Sequence, residues 1–404
     1  MANNTISRLD ASLLTTAYTT SPRPYPSPTS LEVRLLEYHT DHMIIASWNV
    51  HAGWSKPTLQ PYGPIAMSPA ASALHYSTEC FEGLKLFRGP DGQARLFRSI
   101  ENCERMRRSA ARVALPDFDA AELEKLIVAL CACEAPKWLP REGGEGALYI
   151  RPTLIGTDPA LATLRPRSAM LMIFLTVFPK AISSITGPEK LQKTAQQPAA
   201  AAVRRSMKLL ASDKEQVRAW PGGFGNAKVG ANYGTTLVSQ DQAKAQGFDQ
   251  VLWLFGSERY VTEAGASNFF LVLRVDEKKW QLITAPLDEG LILPGITRDC
   301  ILQLARGRLQ QSVQDIVVEV VERQFTIAEV FEAHKQGDII EAFVSGTALF
   351  ITPVGAIRSD GQDLEINCEP VHGVLCSQII KGLLIDIMSG KQDGHGWTFV
   401  VDET

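Results

Sequence analysis

Cysteine is scarce in this chain of 404 residues, with seven residues and no C-x-x-C pair. An odd, scattered set argues against a disulfide framework and against a structural zinc site, so we expect no metal and a reducing compartment. We take this compartment to be the cytoplasm. A mitochondrial leader is the alternative, because the first 30 residues are rich in Ser, Thr and Pro and contain Arg8 and Arg23, although Asp10 counts against it.

An excess of basic charge and long apolar runs are also missing. The 40 Lys and Arg residues face 44 Asp and Glu residues, which gives a formal net charge of -4 and no footprint for nucleic acid. No apolar run approaches the roughly 18 residues that a bilayer crossing needs. We therefore expect small molecules as partners, without nucleic acid or membrane.

The first half of the chain predicts a mixture of strands and helices. Nearly continuous apolar runs at 147–156 and 169–178 are typical of buried strands. Ahead of them lie two helical patterns with apolar residues at three-to-four spacing. We expect Ser99 to cap the first helix, and Asp119, with Glu122 three residues on, to cap the second.

The second half of the chain is richer in strands. Apolar runs predict strands within 250–256, 260–275 and 280–286. A capping box at Thr326 then opens a helix that we expect to end at Gly337. An Ala-rich stretch at 198–210, ahead of these strands, predicts a short helix.

The pattern breaks into polar residues between the two halves, which indicates a domain boundary. We expect a mobile tail at 1–30, a smaller α/β domain at 31–180, a connection at 181–216 and a larger domain at 217–404. The fold class is therefore mixed α/β with two domains.

The segment VRAWPGGFGNAKVGANYGTT, residues 217–236, is the most informative part of the chain. It contains five glycines and one lysine, Lys228. The Gly-Lys-Ser/Thr of a P-loop is absent, and so is a G-x-G-x-x-G nucleotide motif. On composition alone, a surface loop with a solvated lysine is an equally good interpretation.

This segment closely resembles the cofactor-lysine segment of the branched-chain amino-acid aminotransferases, which are fold-type IV pyridoxal-phosphate enzymes. Six further segments resemble that family in the same order along the chain: LHYSTECFEG, LFRSIENCERM, LYIRPTLIG, VTEAGASNFF, LILPGITR and VSGTALFITPVG. The resemblance implies a β-barrel-like core in the larger domain, pyridoxal 5'-phosphate as cofactor, and a homodimer.

The resemblance also assigns the cofactor contacts. It implies that Lys228 is the Schiff-base lysine, for which only a primary amine is suited, and that the Glu263 carboxylate faces the pyridine nitrogen. Arginines suit a phosphate because the guanidinium is bidentate, and helix N-termini suit it because their amides are open. The remaining implied cofactor residues are Arg105, Arg218, Tyr233, Ile296, Thr297 and Thr347.

The implied substrate pocket has to satisfy two demands. Tyr76, Phe81 and Tyr149 match aromatics that surround an apolar side chain, whereas Arg151 matches an arginine that accepts the distal carboxylate of glutamate. Ala348 matches a contact to the substrate carboxylate. Movable aromatic side chains beside one arginine can serve both kinds of substrate.

We therefore predict ping-pong transamination between a branched-chain L-amino acid (Leu, Ile or Val) and 2-oxoglutarate. Two alternatives are a related enzyme acting on an unusual or aromatic amino acid, and a D-amino-acid aminotransferase or aminodeoxychorismate lyase. A catalytically silent relative would be expected to lose Lys228 or Glu263, and both are present. Ala181 stands near a place where the family commonly has an aromatic, which predicts a wider pocket.

Overall fold

The chain divides into two units. The computed structural model describes residues 6–27, 30–141, 146–178, 206–309, 316–347, 350–370, 375–392 and 396–403. The first unit comprises Met1–Ala181, Ala227–Ala231 and Ile387–Thr404, and the second comprises Ile182–Asn226 and Asn232–Asp386.

In the described residues of the first unit, ten strands form one sheet. They are β1 (Thr15–Thr16), β2 (His39–Asn49), β3 (Gly53–Trp54), β4 (Thr58–Pro61), β5 (Glu79–Phe81), β6 (Leu84–Arg88), β7 (Ala94–Phe97), β8 (Ala147–Gly156), β9 (Ser168–Phe178) and the C-terminal strand Thr398–Val401. The order is β1-β4-β2-β9-β8-β6-β7 followed by the C-terminal strand, while β3 pairs with β2 and β5 with β8. The helices are α1 (Leu31–Arg34), α2 (Ser72–Tyr76), α3 (Ser99–Arg112) and α4 (Ala120–Trp138).

Strand β8 shows why this sheet has two different faces. Leu148, Ile150 and Leu154 are fully buried, and they alternate with half-buried Tyr149 and Arg151. Successive side chains of a strand point to opposite faces, so this alternation separates a core face from a more open one. The predicted strands β8 and β9 are confirmed.

The helix caps of the first unit agree with the sequence at one of two positions. The Asp119 carboxylate accepts a hydrogen bond from the Ala121 amide and caps α4, as predicted. The prediction for Ser99 is wrong. Arg98 precedes α3 in a left-handed conformation with φ 49°, and the Ser99 hydroxyl donates to Glu124 instead of capping the helix.

Three segments outside the expected smaller domain lie in the first unit. Residues 6–27 differ from the expected mobile tail, because β1 pairs with β4 and Leu9 is buried. The C-terminal strand pairs with β7. Residues Ala227–Ala231 belong here as well, since Val229 forms a β-bridge with Cys80 of β5.

The described strands of the second unit form a sheet that closes on itself. They are β10 (Met207–Ala211), β11 (Gln250–Phe255), β12 (Tyr260–Ala264), β13 (Ser267–Asp276), β14 (Lys279–Thr284), β15 (Val317–Glu322), β16 (Ile339–Gly346), β17 (Phe350–Ser359) and β18 (Gln362–Glu365). The order β12-β11-β10-β17-β16-β13 closes through the β12–β13 pairing, while β14, β15 and β18 extend the sheet. Closure removes unpaired strand edges. The expected barrel core is confirmed.

Strand β10 corrects the prediction of a short helix ending at Leu210. It pairs in parallel with both β11 and β17, and Leu209 is fully buried between them. Parallel pairing on both sides overrides the local helical preference of this stretch. Residues 198–205 of the expected helix lie outside the described residues.

The remaining described α-helices are α5 (Ala231–Gly234), α6 (Leu237–Ala245), α7 (Ile296–Leu304), α8 (Ile327–Gln336) and α9 (Cys376–Met388). A 3-10 helix at Ala11–Leu13 and a π-helix at Ala305–Leu309 complete the described helical segments. The Thr326 hydroxyl accepts from the Glu329 amide at the start of α8, and Gly337 ends that helix with φ 75°, as predicted. Within the described ranges, no helix has both the length and the apolar character that crossing a membrane would require.

Candidate active site

The main chain of Lys228 is held on both sides within the first unit. Its amide donates to the Ser109 hydroxyl at 2.8 Å, and its carbonyl accepts from the Phe81 amide at 3.1 Å. The next residue, Val229, bridges to Cys80. These contacts attach the glycine-rich segment to β5 and α3, and they fix the point from which the lysine side chain extends.

The side chain of Lys228 lies beside an aromatic and arginine cluster. Its Nζ is 5.0 Å from the centre of the Phe81 ring, and the Arg151 guanidinium carbon is 4.8 Å from the same centre. Arg151 also lies 5.3 Å from the Tyr149 ring and donates to Tyr149 Oη at 3.3 Å. The first unit thus brings together four of the residues singled out in the sequence.

Tyr149 is fixed by close packing. A Cβ atom on Gly83 would stand 1.9 Å from Tyr149 Oη, so any larger residue there would displace the Tyr149 side chain. On its other side, the Tyr149 ring stacks on Phe178 at 5.8 Å between ring centres. Lys85 Nζ lies 3.9 Å from the centre of the Phe178 ring, and burial lowers the pKa of Lys85 to about 7.

Arg105 is paired with Glu82, a residue to which the sequence assigned no role. Arg105 Nε donates to Glu82 Oε1 at 2.7 Å, and Nη2 donates to Oε2 at 2.9 Å. The two side chains are only 4% and 1% exposed. A guanidinium has five donors, so it can bind one carboxylate and still donate to a phosphate. The sequence signal that could have identified Glu82 is its position within an apolar run, because a carboxylate that is buried there is nearly always paired with a positive charge.

Tyr76 lies elsewhere in the first unit, on the surface at the end of α2. Its ring is 38% exposed and its hydroxyl donates to the carbonyl oxygen of Leu161. Leu74 in the same helix, and Leu161 and Leu164 in the connection between β8 and β9, are also exposed apolar residues. We call these four residues the α2 patch.

Glu263 in the second unit is a buried carboxylate with three donors. Its Oε1 accepts from the Leu293 amide and from the Asn268 side chain, both at 3.1 Å. Its Oε2 lies 2.5 Å from Arg218 Nη2. Because these donors include a guanidinium, they stabilise the negative charge of the buried carboxylate.

Arg218 therefore lies against Glu263, whereas the sequence suggested a position near the phosphate. The same Nη2 donates to the Leu291 carbonyl at 2.8 Å. Attraction between opposite charges in a buried setting accounts for this placement. Arg218 Nε is buried and has no hydrogen-bond partner among the described residues.

The start of α7 offers open amides to an anion. Gly295 precedes Ile296 and Thr297, and it provides no side-chain cap. A Cβ on Gly295 would stand 2.1 Å from Asn268 Oδ1, so a larger residue there would displace the Asn268 side chain. Backbone amides at such a helix start bind phosphate groups well.

The remaining sequence-predicted residues of the second unit are placed as follows. Tyr233 is half-buried in α5, and Thr347 is half-buried in the turn after β16. Ala348 lies outside the described residues. Just before that turn, Ser345 Oγ is buried without a partner among the described residues.

Among the residues that the structure describes, one group of possible metal ligands occurs apart from the residues above. His42, Cys133 and Glu134 lie close together in the first unit, with 2.5 Å between His42 Nδ1 and Glu134 Oε1. The Thr19 amide donates to His42 Nε2 at 2.9 Å, so the ring proton is on Nδ1 and points to Glu134. Both ring nitrogens are engaged, and the group is explained as a hydrogen-bond network that holds the N-terminal segment.

Comparison with known proteins gives consistent matches. Residues 79–357 match the family described as amino-transferase class IV. The mitochondrial branched-chain-amino-acid aminotransferase of Schizosaccharomyces pombe is 40% identical over 375 residues, covering 92% of this chain and 82% of that protein. The branched-chain-amino-acid aminotransferase of Monosiga brevicollis is 41% identical over 398 residues, which cover 98% of this chain and 93% of that protein.

Solved structures show the same fold. The branched-chain aminotransferase of Thermoproteus uzoniensis, crystallised with norvaline, superposes with a TM-score of 0.64 at 22% identity. The match covers 89% of this chain and 99% of that one. At this level of identity the likeness establishes the two-unit architecture and nothing finer.

Proposed function

Because the chain belongs to the class IV amino-transferase family, we propose that it transfers the amino group of leucine, isoleucine or valine to 2-oxoglutarate, with Lys228 as its cofactor lysine. Membership of this family, together with branched-chain aminotransferase relatives at about 40% identity, makes the chain a pyridoxal-phosphate-dependent transaminase. The branched-chain substrates are supported by relatives of that name at about 40% identity. The observation that carries the proposal is the placement of Lys228 beside Phe81 and Arg151.

The residues present fit the cofactor. Pyridoxal 5'-phosphate, when bound, withdraws electrons from the carbon that bears the amino group and so makes its proton acidic. The uncapped start of α7 supplies amides for a phosphate, and Arg218 Nε and Ser345 Oγ are buried polar atoms without partners among the described residues. We assign the phosphate to Arg105, Thr347 and the amides of Ile296 and Thr297.

The remaining cofactor residues act on protons and on charge. We propose that the Lys228 amine would take the α-proton from the bound amino acid and serve as the general base and general acid of the transfer. With the cofactor bound, the Glu263 carboxylate would hold a proton on the pyridine nitrogen, and Tyr233 would donate to the phenolic oxygen of the ring. Arg218 stabilises the charge of Glu263, which is supported by their 2.5 Å contact. The first product leaves before 2-oxoglutarate binds, which is ping-pong order.

The cluster around Arg151 explains how one pocket accepts two kinds of side chain. The Phe81 and Tyr149 rings offer apolar surface to a branched side chain, whereas the guanidinium between them offers charge to the distal carboxylate of glutamate. Arg151 Nε is buried without a partner among the described residues, which supports its being completed by a substrate. Ala348 remains the proposed contact for the α-carboxylate.

We also propose a homodimer in which the α2 patch is covered by a second copy of the chain. Tyr76, Leu74, Leu161 and Leu164 are 38%, 57%, 62% and 67% exposed, and exposed apolar patches mark interaction surfaces. A tyrosine that contributes to a substrate pocket from this surface fits an interface position. Light scattering of the wild-type protein should give twice the mass of one chain, and Leu161→Glu should shift the measured mass towards that of the monomer. A monomeric wild-type protein would contradict the dimer.

The cytoplasm is the proposed compartment. The seven cysteines are odd in number and contain no C-x-x-C pair, which suits a reducing compartment. The relatives in Saccharomyces cerevisiae include both mitochondrial and cytosolic proteins, so the relatives do not decide between them. Microscopy of the full chain with a C-terminal fluorescent tag tests the proposal, and mitochondrial fluorescence would contradict it.

Steady-state transamination with leucine and 2-oxoglutarate tests the function. We expect turnover in the cofactor-saturated wild type and its loss in Lys228→Ala. Lys244→Ala removes an exposed lysine on α6 and is the matched control, which should keep full activity. Turnover confined to D-amino acids, or absent with every branched-chain substrate, would contradict the proposed substrates.

A further inference from the structure

We propose that Ser109 is a positioning residue for transamination, which ties the main chain of Lys228 to the helix that carries Arg105. This inference rests on the proposed function, because it takes Lys228 as the cofactor lysine. It adds a residue that touches neither substrate nor cofactor and acts only through Lys228.

The hydroxyl of Ser109 has two partners. It donates to the Arg105 carbonyl one turn earlier in α3 at 2.9 Å, and it accepts from the Lys228 amide at 2.8 Å. Ser109 is only 1% exposed. A serine inside a helix often bonds the carbonyl four residues earlier, and here that bond turns the oxygen lone pairs towards the Lys228 amide.

The Ser109 contacts close a ring around the proposed cofactor residues of the first unit. In this ring of contacts, the Lys228 carbonyl accepts a hydrogen bond from the Phe81 amide, and Glu82 follows Phe81 in the chain. Glu82 holds the Arg105 guanidinium at 2.7 and 2.9 Å, and the Arg105 carbonyl leads back to Ser109. Both the lysine and the arginine therefore depend on one buried frame.

The need for such a frame follows from the length of the lysine segment. Only Ala227–Ala231 belong to the first unit, while Asn226 and Asn232 belong to the second. Residues 227–230 form no helix or strand of their own, and Val229 has only its single bridge to Cys80. Their position in the first unit therefore depends on contacts such as those of Ser109 and Phe81.

The test compares two Ser109 variants with a matched control in the same helix. Ser109→Ala removes both hydrogen bonds, whereas Ser109→Cys keeps the shape and offers a weaker acceptor. The control is Ser99→Ala, which removes the hydroxyl of another buried serine, 3% exposed, whose partner is Glu124. Each full-length protein is stripped of cofactor, and pyridoxal phosphate is added back.

The readout is the rate at which added pyridoxal phosphate becomes bonded to Lys228, followed by its absorbance and by borohydride trapping. We expect this rate to fall about tenfold in Ser109→Ala, the cost of an unmade buried hydrogen bond. A parallel fall in kcat with KM for leucine unchanged is expected. Ser109→Cys should lie between, and Ser99→Ala should match the wild type.

A merely structural serine would give a different pattern. The inference is overturned if Ser109→Ala bonds cofactor at the wild-type rate, or if Ser99→Ala is slowed equally. Should Ser109→Ala not fold, a wild-type bonding rate in Ser109→Cys overturns the inference just as well. An adduct on another lysine in the wild type overturns the proposed function as well, whereas an adduct on Lys228 with unaffected Ser109 variants overturns this inference alone.

Discussion

Removing the carboxylate of Glu82 should be among the most costly single changes in the first unit. Glu82 and Arg105 form a two-pronged ion pair at 2.7 and 2.9 Å, with side chains 1% and 4% exposed. Glu82→Ala leaves a buried guanidinium without its counter-charge. Breaking a buried pair in this way typically costs about 3–5 kcal/mol of the free energy of unfolding.

The Glu82 prediction has a matched control in the exposed pair of Arg107 and Asp117. Arg107 Nε and Asp117 Oδ1 are also close, at 2.8 Å, but the side chains are 47% and 73% exposed. Solvent screens such a pair, so Asp117→Ala should lose far less stability than Glu82→Ala. Glu82→Gln keeps the shape of the side chain and should lie between them.

The assay is urea unfolding of the full-length protein, with midpoint and slope compared among the variants. A lower midpoint at unchanged slope reports a loss of stability. Glu82→Ala should also retain cofactor poorly, because Arg105 loses the contact that orients it. Equal midpoints for Glu82→Ala and Asp117→Ala would refute the reasoning.

Three further predictions concern charge and specificity. Glu263→Gln should slow transamination by a factor on the order of 10² with cofactor still bound, because one charge contact in a site without water commonly has an effect of that size. Near-normal turnover would show that Glu263 does not act on the ring. Burial lowers the pKa of Lys85 to about 7. Between pH 7 and the ordinary lysine pKa, the unfolded chain therefore binds a proton that the folded chain does not. The free energy of unfolding should rise with pH across this window. Lys85→Met should flatten that rise in urea titrations at several pH values, and an unchanged slope would count against a lowered pKa. Ala181, which lies outside the described residues, predicts a wider pocket. We therefore expect the kcat/KM for phenylalanine to lie within a thousandfold of that for leucine, and a larger difference would refute the wider pocket.

Local sequence patterns predicted what local physics determines. Asp119 and Thr326 cap their helices as expected, since a cap depends on residues within one turn. Ser99 fails as a cap because Arg98 adopts a left-handed conformation that the sequence does not signal. Strand β10 was missed because its parallel neighbours β11 and β17 lie far away along the chain.

The candidate site divides in the same way. The family resemblance singled out Lys228 and Glu263, yet their partners depend on tertiary packing. Ser109 reaches Lys228 across 119 positions of the chain, and Arg218 meets Glu263 through the folded second unit. No periodicity in the sequence relates such pairs.

The central claim is that Lys228 carries the cofactor, and one measurement tests it most directly. Protein saturated with pyridoxal phosphate is reduced with borohydride, digested, and mapped by mass spectrometry. We predict a single phosphopyridoxyl adduct in the peptide that contains Lys228, and none there in Lys228→Ala. An adduct on another lysine, or none in saturated wild-type protein, would contradict the account.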